Sequence, residues 1–182
     1  MAEQVLRARL ADLPAIAFAS AGTYAGEGDP MTAQAAALSQ RFGGDPSAHR
    51  ARYLVEQYVA DADLVFAMSR SHRREIVELV PRKVSVTFTL REFERLSAEL
   101  DDSAIADAAA GAPSLRAALA EAVALVASRK GQLGLAVSAD DDDIVDPYRR
   151  SDETYERSAA QLVPAAERAA HVLRVAANAF RG

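Results

Sequence analysis

The stretch that decides the fold is Ala62-Asp63-Leu64-Val65-Phe66-Ala67-Met68-Ser69. Leu64 to Met68 is an unbroken apolar run too short for a buried helix, the pattern of a strand covered on both faces in a parallel sheet. Ser69 is placed to cap a helix whose buried side carries Ile76, Val77 and Val80, and Pro81 ends it. Val84 to Phe88 reads as the next strand. Helix and strand in alternation imply a parallel sheet with helices on both faces.

Immediately downstream, Thr89 and Glu92 have capping-box spacing, and Phe88 and Phe93 flank them as a hydrophobic staple, so another helix starts here. Upstream, Ala2 to Leu10 reads as a short helix without a cap. Ala15 to Ser20 reads as a strand, and the glycines of Gly22 to Asp29 as a loop. A helix with Asp29 as its cap and Pro30 in its first position follows, carries Ala35, Leu38 and Phe42, and stops at Gly43-Gly44. Tyr53 to Ala60 is a short helical segment. The Ala-rich stretch at about 97–140 contains a helix over Leu115 to Ser128 and reads as a helical insertion. The last helix keeps Tyr155, Ala159, Leu162, Ala166, Leu173 and Phe180 in phase, with Pro164 expected to kink or split it. The whole chain, 1–182, is expected to be one α/β domain with helices on both faces of a parallel sheet of three strands.

Composition excludes several functions. A formal net charge of −5 with no basic block argues against nucleic-acid binding. No cysteine is present, so the 182 residues hold no disulfide, thiolate metal site or cysteine nucleophile. His49, His72 and His171 lack metal-ligand spacing, so no metal is expected. No apolar run has the length of a membrane span, and the start is not a signal peptide, so a cytoplasmic protein is expected. No cofactor motif stands out, and oligomeric state leaves no mark.

Four places could carry chemistry. In Asp140-Asp-Asp-Asp143-Ile-Val-Asp146-Pro147-Tyr148, Asp146 could be a general acid stiffened by Pro147, with Tyr148 as a wall for an aromatic substrate. The neighbouring carboxylates would favour its protonated form. The plainer reading is a solvated acidic turn. His49 in Asp45-Pro-Ser-Ala-His-Arg-Ala-Arg52 could be a site histidine or a structural one. Ser20-Ala-Gly22-Thr23 follows a strand, where Gly22 allows close backbone approach. Ser69-Arg-Ser-His-Arg-Arg74 could hold an anion at a helix N-terminus or be a solvated basic face.

Taken in order, these pieces resemble the low-molecular-weight protein tyrosine phosphatases of the actinobacterial type. The matching elements are Met1-Ala-Glu3, Ser20-Ala-Gly-Thr23, His49-Arg-Ala-Arg52, Ala62 to Met68 with His72, Phe88-Thr-Leu-Arg-Glu-Phe93 and Asp146-Pro147-Tyr148. The resemblance implies a three-layer α/β/α fold with strand order 2-1-3-4 and hydrolysis of phosphotyrosine proteins or aryl phosphates. It also implies Asp146 as the acid that protonates the leaving oxygen and then activates water, and Tyr148 as a lining of the substrate slot. Ser20 and His49 would brace an Asn of the phosphate loop.

That family's loop reads Cys, five residues, Arg, Ser, Pro and runs into Met-Ala-Glu, whereas this sequence starts at the Met. The family's first strand, nucleophile and loop are therefore missing from the 182 residues, which are expected to be inactive as they stand. A natural protein longer by roughly ten to twenty residues is the expected explanation. In the family order, the missing strand lies between Ala15–Ser20 and Leu64–Met68. Each buried backbone group left unpaired there would cost about 1–3 kcal/mol, so instability of the chain alone is also expected. The competing reading is a non-catalytic binding module derived from the fold, with the Arg70 to Arg74 region as its anion site. Arsenate reductases of the same fold fit poorly because they rely on several cysteines.

Overall fold

The computed structural model describes residues 1–132 and 138–181. Its helices are α1 (Ala2–Arg9), α2 (Ala33–Arg41), α3 (Glu56–Asp61), α4 (Arg70–Leu79), α5 (Leu90–Ser97), α6 (Asp102–Ala109), α7 (Leu115–Ser128), α8 (Ala139–Asp142) and α9 (Asp152–Arg181). Strands β1 (Val65–Ala67) and β2 (Thr87–Thr89) pair in parallel, with Val65 opposite Thr87, Phe66 opposite Phe88 and Ala67 opposite Thr89.

Strand alternation sorts the deciding run into two layers. Leu64, Phe66 and Met68 pack against the larger core, together with Phe88. Val65 and Ala67 face the other way, into a smaller core with Val59 of α3 and Ile76 and Val80 of the α4 end. The sheet is thus covered on both faces, as its unbroken hydrophobicity predicts. In the larger core, Phe93 meets Phe66 and Phe88 edge-on, with ring centroids 5.2 and 5.3 Å apart. These T-shaped contacts suit the ring quadrupoles.

The capping box forms as expected. Thr89 Oγ1 accepts from the Glu92 N–H at 3.0 Å, and Glu92 Oε2 accepts from the Thr89 N–H at 3.1 Å. Ser69 caps α4 by accepting from the His72 N–H at 3.2 Å. The helix over Leu115–Ser128 also appears as expected, capped by Ser114.

Helix α9 runs through Pro164 as one element of 30 residues. Burial of Leu162, Val163, Ala165 and Ala166 around the proline holds both halves in the same core. Alanines line the approach of α6 and α7 to α9. Ala109, Ala118 and Ala122 face Ala166, Ala169 and Ala170 within one buried cluster, where small side chains let the helix axes come close.

Three expectations are corrected. Ala15–Ser20 forms no strand. Instead the Phe18 carbonyl accepts from the Arg7 guanidinium at 2.8 Å and the Ser20 carbonyl from Arg52 Nε at 2.8 Å. Two strands rather than three are therefore found among the described residues. Helix α2 begins at Ala33 under a Thr32 cap rather than at Pro30, because Thr32 Oγ1 accepts from the Ala35 N–H and also bonds the Tyr155 hydroxyl at 3.0 Å. Pro81–Val86 forms a 3-10 helix, which shortens the expected strand to Thr87–Thr89. The Thr87 hydroxyl secures this turn by donating to the Lys83 carbonyl at 2.7 Å.

Candidate functional site

Two loops distant in sequence are laced together by backbone hydrogen bonds. The Gly22 N–H donates to the Arg52 carbonyl at 3.0 Å and the Leu54 N–H to the Gly22 carbonyl at 3.0 Å. A little further along, the Gly28 N–H reaches the Ala51 carbonyl at 2.8 Å, and the Ala51 N–H reaches the Asp29 carbonyl at 2.8 Å. Gly22 sits opposite Tyr53 in a parallel bridge; a Cβ there would meet only ordinary contacts with Ala25 and Tyr24, so the bridge does not require glycine.

This lacing delivers Ser20 and His49 to the first turn of α1. The Ser20 hydroxyl donates to Glu3 Oε2, and His49 Nδ1 lies 3.5 Å from Gln4 Nε2. A cleft of about 410 Å³ opens here, lined by Glu3, Ser20, His49 and Arg52 among others.

The charges of this corner are tuned by their surroundings. Burial pushes the Glu3 carboxyl up, but hydrogen bonds from Ser20 and Arg7, with the charge of Arg7, outweigh it and hold the group below its ordinary value. Burial, followed by the nearby Met1 ammonium, lowers His49 and favours the neutral imidazole. Gln4 is only 4% exposed, and its Oε1 has no hydrogen-bond partner among the described residues. Glu3 and Arg52 stand in stretches that carry the family resemblance but receive no role there, and Gln4 stands outside them. The one signal was a polar Gln4 beside the apolar side formed by Val5, Leu6 and Leu10.

Asp146 and Tyr148 come together elsewhere. The Ile144 N–H donates to the Met68 carbonyl at 2.8 Å, hooking this segment to the carboxyl end of β1. The Val145 N–H donates to Gln161 Oε1 at 2.9 Å. Asp146 Oδ1 then accepts from the Tyr148 N–H at 3.0 Å, an Asx-type turn across Pro147. Asp146 is exposed, and the Tyr148 ring is 57% exposed with the Arg149 guanidinium 5.2 Å over it. No hydrogen bond among the described residues joins this pair to Ser20 or His49.

Asp141, Asp142 and Asp143 are each engaged by a partner other than Asp146. Asp141 Oδ2 accepts from the Ser138 N–H at 2.9 Å, Asp142 pairs with Arg95, and Asp143 Oδ1 accepts from the Arg70 N–H at 2.7 Å. Asp143 and Ser69 between them occupy the start of α4, the place where the sequence suggested an anion.

Residues 1–133 match the family model for low molecular weight phosphotyrosine protein phosphatase. The chain belongs to this family. Ser20 and His49 lie inside the matched segment, and Asp146 and Tyr148 lie beyond it. A protein-arginine-phosphatase from Geobacillus stearothermophilus is 35% identical over 81 residues. That alignment takes in 44% of this chain and 54% of the relative, so the chain spans about half the length of this curated phosphatase.

Among solved structures, the low molecular weight protein tyrosine phosphatase from T. tengcongensis is 27% identical. It superposes with a TM-score of 0.60, over 92% of this chain and 85% of that one. Wzb from Vibrio vulnificus, solved with benzylphosphonate, has the same TM-score over 93% of this chain and 86% of its own at 21% identity. The latter likeness shows the fold alone. The chain thus has the family's α/β character, with helices about a parallel pair of strands, in a sequence that holds no cysteine.

Proposed function

We propose that these residues form the acid and supporting part of a phosphomonoesterase site for phosphotyrosine proteins or aryl phosphates. The observation that carries this reading is the meeting of Ser20 and His49, from separate loops, on the first turn of α1. Phosphate loops of this family lead into that turn, and a hydroxyl and a neutral imidazole at its root are suited to hold a loop side chain by hydrogen bonds. The 182 residues contain no cysteine and are proposed to be inactive by themselves.

Asp146 has the freedom an acid needs, because among the described residues one of its oxygens is engaged, by the Tyr148 N–H. In its protonated form it would donate to the leaving phenolic oxygen as the bond to phosphorus breaks. As the carboxylate it would then take a proton from the water that attacks the phosphoenzyme. The exposed Tyr148 ring supplies a face on which an aryl group can stack. For that reason phosphotyrosine is proposed ahead of phosphoarginine, the substrate class named by the Geobacillus relative. No helix among the described residues is long and apolar enough to cross a membrane, and action on phosphoproteins in the cytoplasm is part of the proposal.

The test is to purify the protein from its own host, measure its mass and amino-terminal sequence, and assay it beside the 182-residue chain. Phosphotyrosine peptide, phosphoarginine and an aryl phosphate serve as substrates. The expected result is turnover by a protein bearing a Cys-to-Arg loop, fastest on phosphotyrosine, with none by the 182 residues alone. Aryl phosphate turnover by the 182-residue chain, abolished by no change at Asp146, would overturn the reading.

A further inference from the structure

A second cleft, of about 390 Å³, lies between α4, the start of α5 and the 3-10 turn Arg129–Gly131, away from Ser20 and His49. Five cations line it, from three elements: Arg70, Arg73 and Arg74 of α4, Arg95 of α5, and Lys130 of the turn. Three carboxylates share the wall, and two of these are already used. Glu92 Oε2 lies 3.5 Å from Arg73 Nε, and Asp142 binds Arg95. Glu78 is the third; beside the lining, the Asp143 carboxylate sits on the Arg70 N–H, and the charge of Glu92 is also felt at Lys130.

Arg70, Arg74 and Lys130 are not spent on the fold in equal measure. Lys130 Nζ donates to the Thr87 carbonyl at 3.2 Å and sits 3.7 Å from the centroid of the Phe88 ring, which leaves it half-buried with no carboxylate bonded to it among the described residues. Burial is the main cause that lowers its proton affinity; the Glu92 carboxylate nearby works against this, and the charge of Arg73 adds to it. Arg70 and Arg74 are exposed, lie one turn apart on α4 and have no ion pair among the described residues. Their positive charge is therefore on offer at the rim, while that of Lys130 is at the floor.

The cleft is continuous with the segment that carries Asp146. Asp142 forms part of its wall, and the Asp143 side chain holds the Arg70 N–H. Its size lies in the range that takes a ligand of several groups rather than one oxyanion, for which pockets run about 300–1,000 Å³. The chain as a whole carries a net charge of −5, so the positive field is local to this groove.

We propose that this groove binds an acidic peptide segment, rich in Asp and Glu, that flanks the phosphorylated residue of a protein substrate. The inference rests on the phosphatase reading for the identity of the peptide but not for the binding itself. Carboxylates of the segment pair with Arg70 and Arg74 at the rim, and one reaches the Lys130 ammonium. The segment thereby adds charge complementarity to a site that otherwise recognises only a phosphoryl group and its ring. Such a groove selects among phosphoproteins by the sequence around the modified residue.

The test needs no catalysis. A fluorescent ten-residue peptide of Asp and Glu, without phosphate, is titrated into the 182-residue protein by anisotropy, beside its Asn and Gln counterpart. The acidic peptide is expected to bind, its affinity to fall as salt rises, and the neutral peptide to show no binding. The double variant Arg70→Ala/Arg74→Ala should weaken binding about 5- to 10-fold, as expected for the loss of two exposed ion pairs. Both side chains are exposed and have no ion pair among the described residues, so the fold is not at stake. Arg116→Ala, which removes an exposed arginine paired with Asp63 at 2.7 Å elsewhere, should leave binding unchanged.

Equal binding of the neutral peptide, or an unchanged affinity in the double variant, would overturn the proposal. So would equally tight binding of a short oligothymidylate, which would make the groove a general polyanion trap. Loss of the phosphatase reading, by contrast, would leave a positive binding result in place.

Discussion

Arg95 and Asp142 hold each other through two hydrogen bonds, Nε to Oδ1 at 3.2 Å and Nη2 to Oδ2 at 3.1 Å. Asp142 is buried and ends α8, while Arg95 projects from α5, whose start is fixed by the Thr89 cap. The chain of restraints thus runs from the sheet, through α5, to the segment that presents Asp146. Bidentate geometry supplies direction as well as attraction.

Arg95→Ala is expected to cost about 1–3 kcal/mol, the range for a hydrogen bond to a charged group whose buried partner loses its donor. A urea melt measures the loss. Hydrogen exchange of the amides at 143–148 should quicken in the same variant, whereas unchanged exchange there would show that the pair does not position the segment.

Thr89→Ala removes the hydroxyl that accepts from Glu92 and leaves the Glu92 side chain gripping a cap without its partner. The expected loss is about 1 kcal/mol, within the range of about 0.5–2 for an N-cap truncation. Thr89→Ser keeps the acceptor and should recover most of it in the same melt. Failure of serine to recover stability would assign the effect to packing of the buried Thr89 methyl rather than to capping.

What was legible in the sequence was what is decided locally. The Thr89–Glu92 box, the Phe88–Phe93 staple, the Ser69 cap and the helix at Leu115 each depend on residues a few positions apart, and each is where its spacing predicted. What was misread depends on partners far away. Ala15–Ser20 has the composition of a strand, yet a strand exists only through its ladder, and Arg7 and Arg52 take two of its carbonyls instead. Thr32 wins the cap of α2 from Asp29 with help from Tyr155, 123 residues on. At the candidate site, the pairing of Asp146 with Tyr148 is local and readable. The meeting of Ser20 with His49 came only through the family resemblance, because the backbone lacing that creates it has no local signature.

The His49 imidazole gives a pH dependence with a definite sign. Its folded proton affinity lies below the ordinary value of 6.5, chiefly through burial, so between the two values the unfolded chain binds more protons than the folded one. Stability then rises with pH in that window. The contribution is complete above the ordinary value and is lost as pH falls through the folded one. Glu3, also held below its ordinary value of 4.5, adds a loss of the same sign at more acid pH. Urea melts from pH 7 to pH 5 should therefore show falling stability; His49→Asn should make the slope shallower, while the buried Met1 amine, pushed down to about 6, contributes the same sign in this window and stays. An unflattened curve would assign the slope to other groups.

Asp146→Asn separates the acid from its surroundings. Asparagine keeps the side-chain oxygen that accepts from the Tyr148 N–H, so the turn across Pro147 and the stability of the chain should be unchanged. In a protein carrying the family's Cys-to-Arg loop, the variant should hydrolyse aryl phosphates more slowly by about 100-fold or more, the usual scale for losing a general acid. The deficit should be greatest for esters with a poor leaving group such as the tyrosine phenolate. It should shrink for a good leaving group such as nitrophenolate, which needs less protonation. A deficit independent of the leaving group would assign Asp146 to binding, and no deficit at all would remove it from the chemistry.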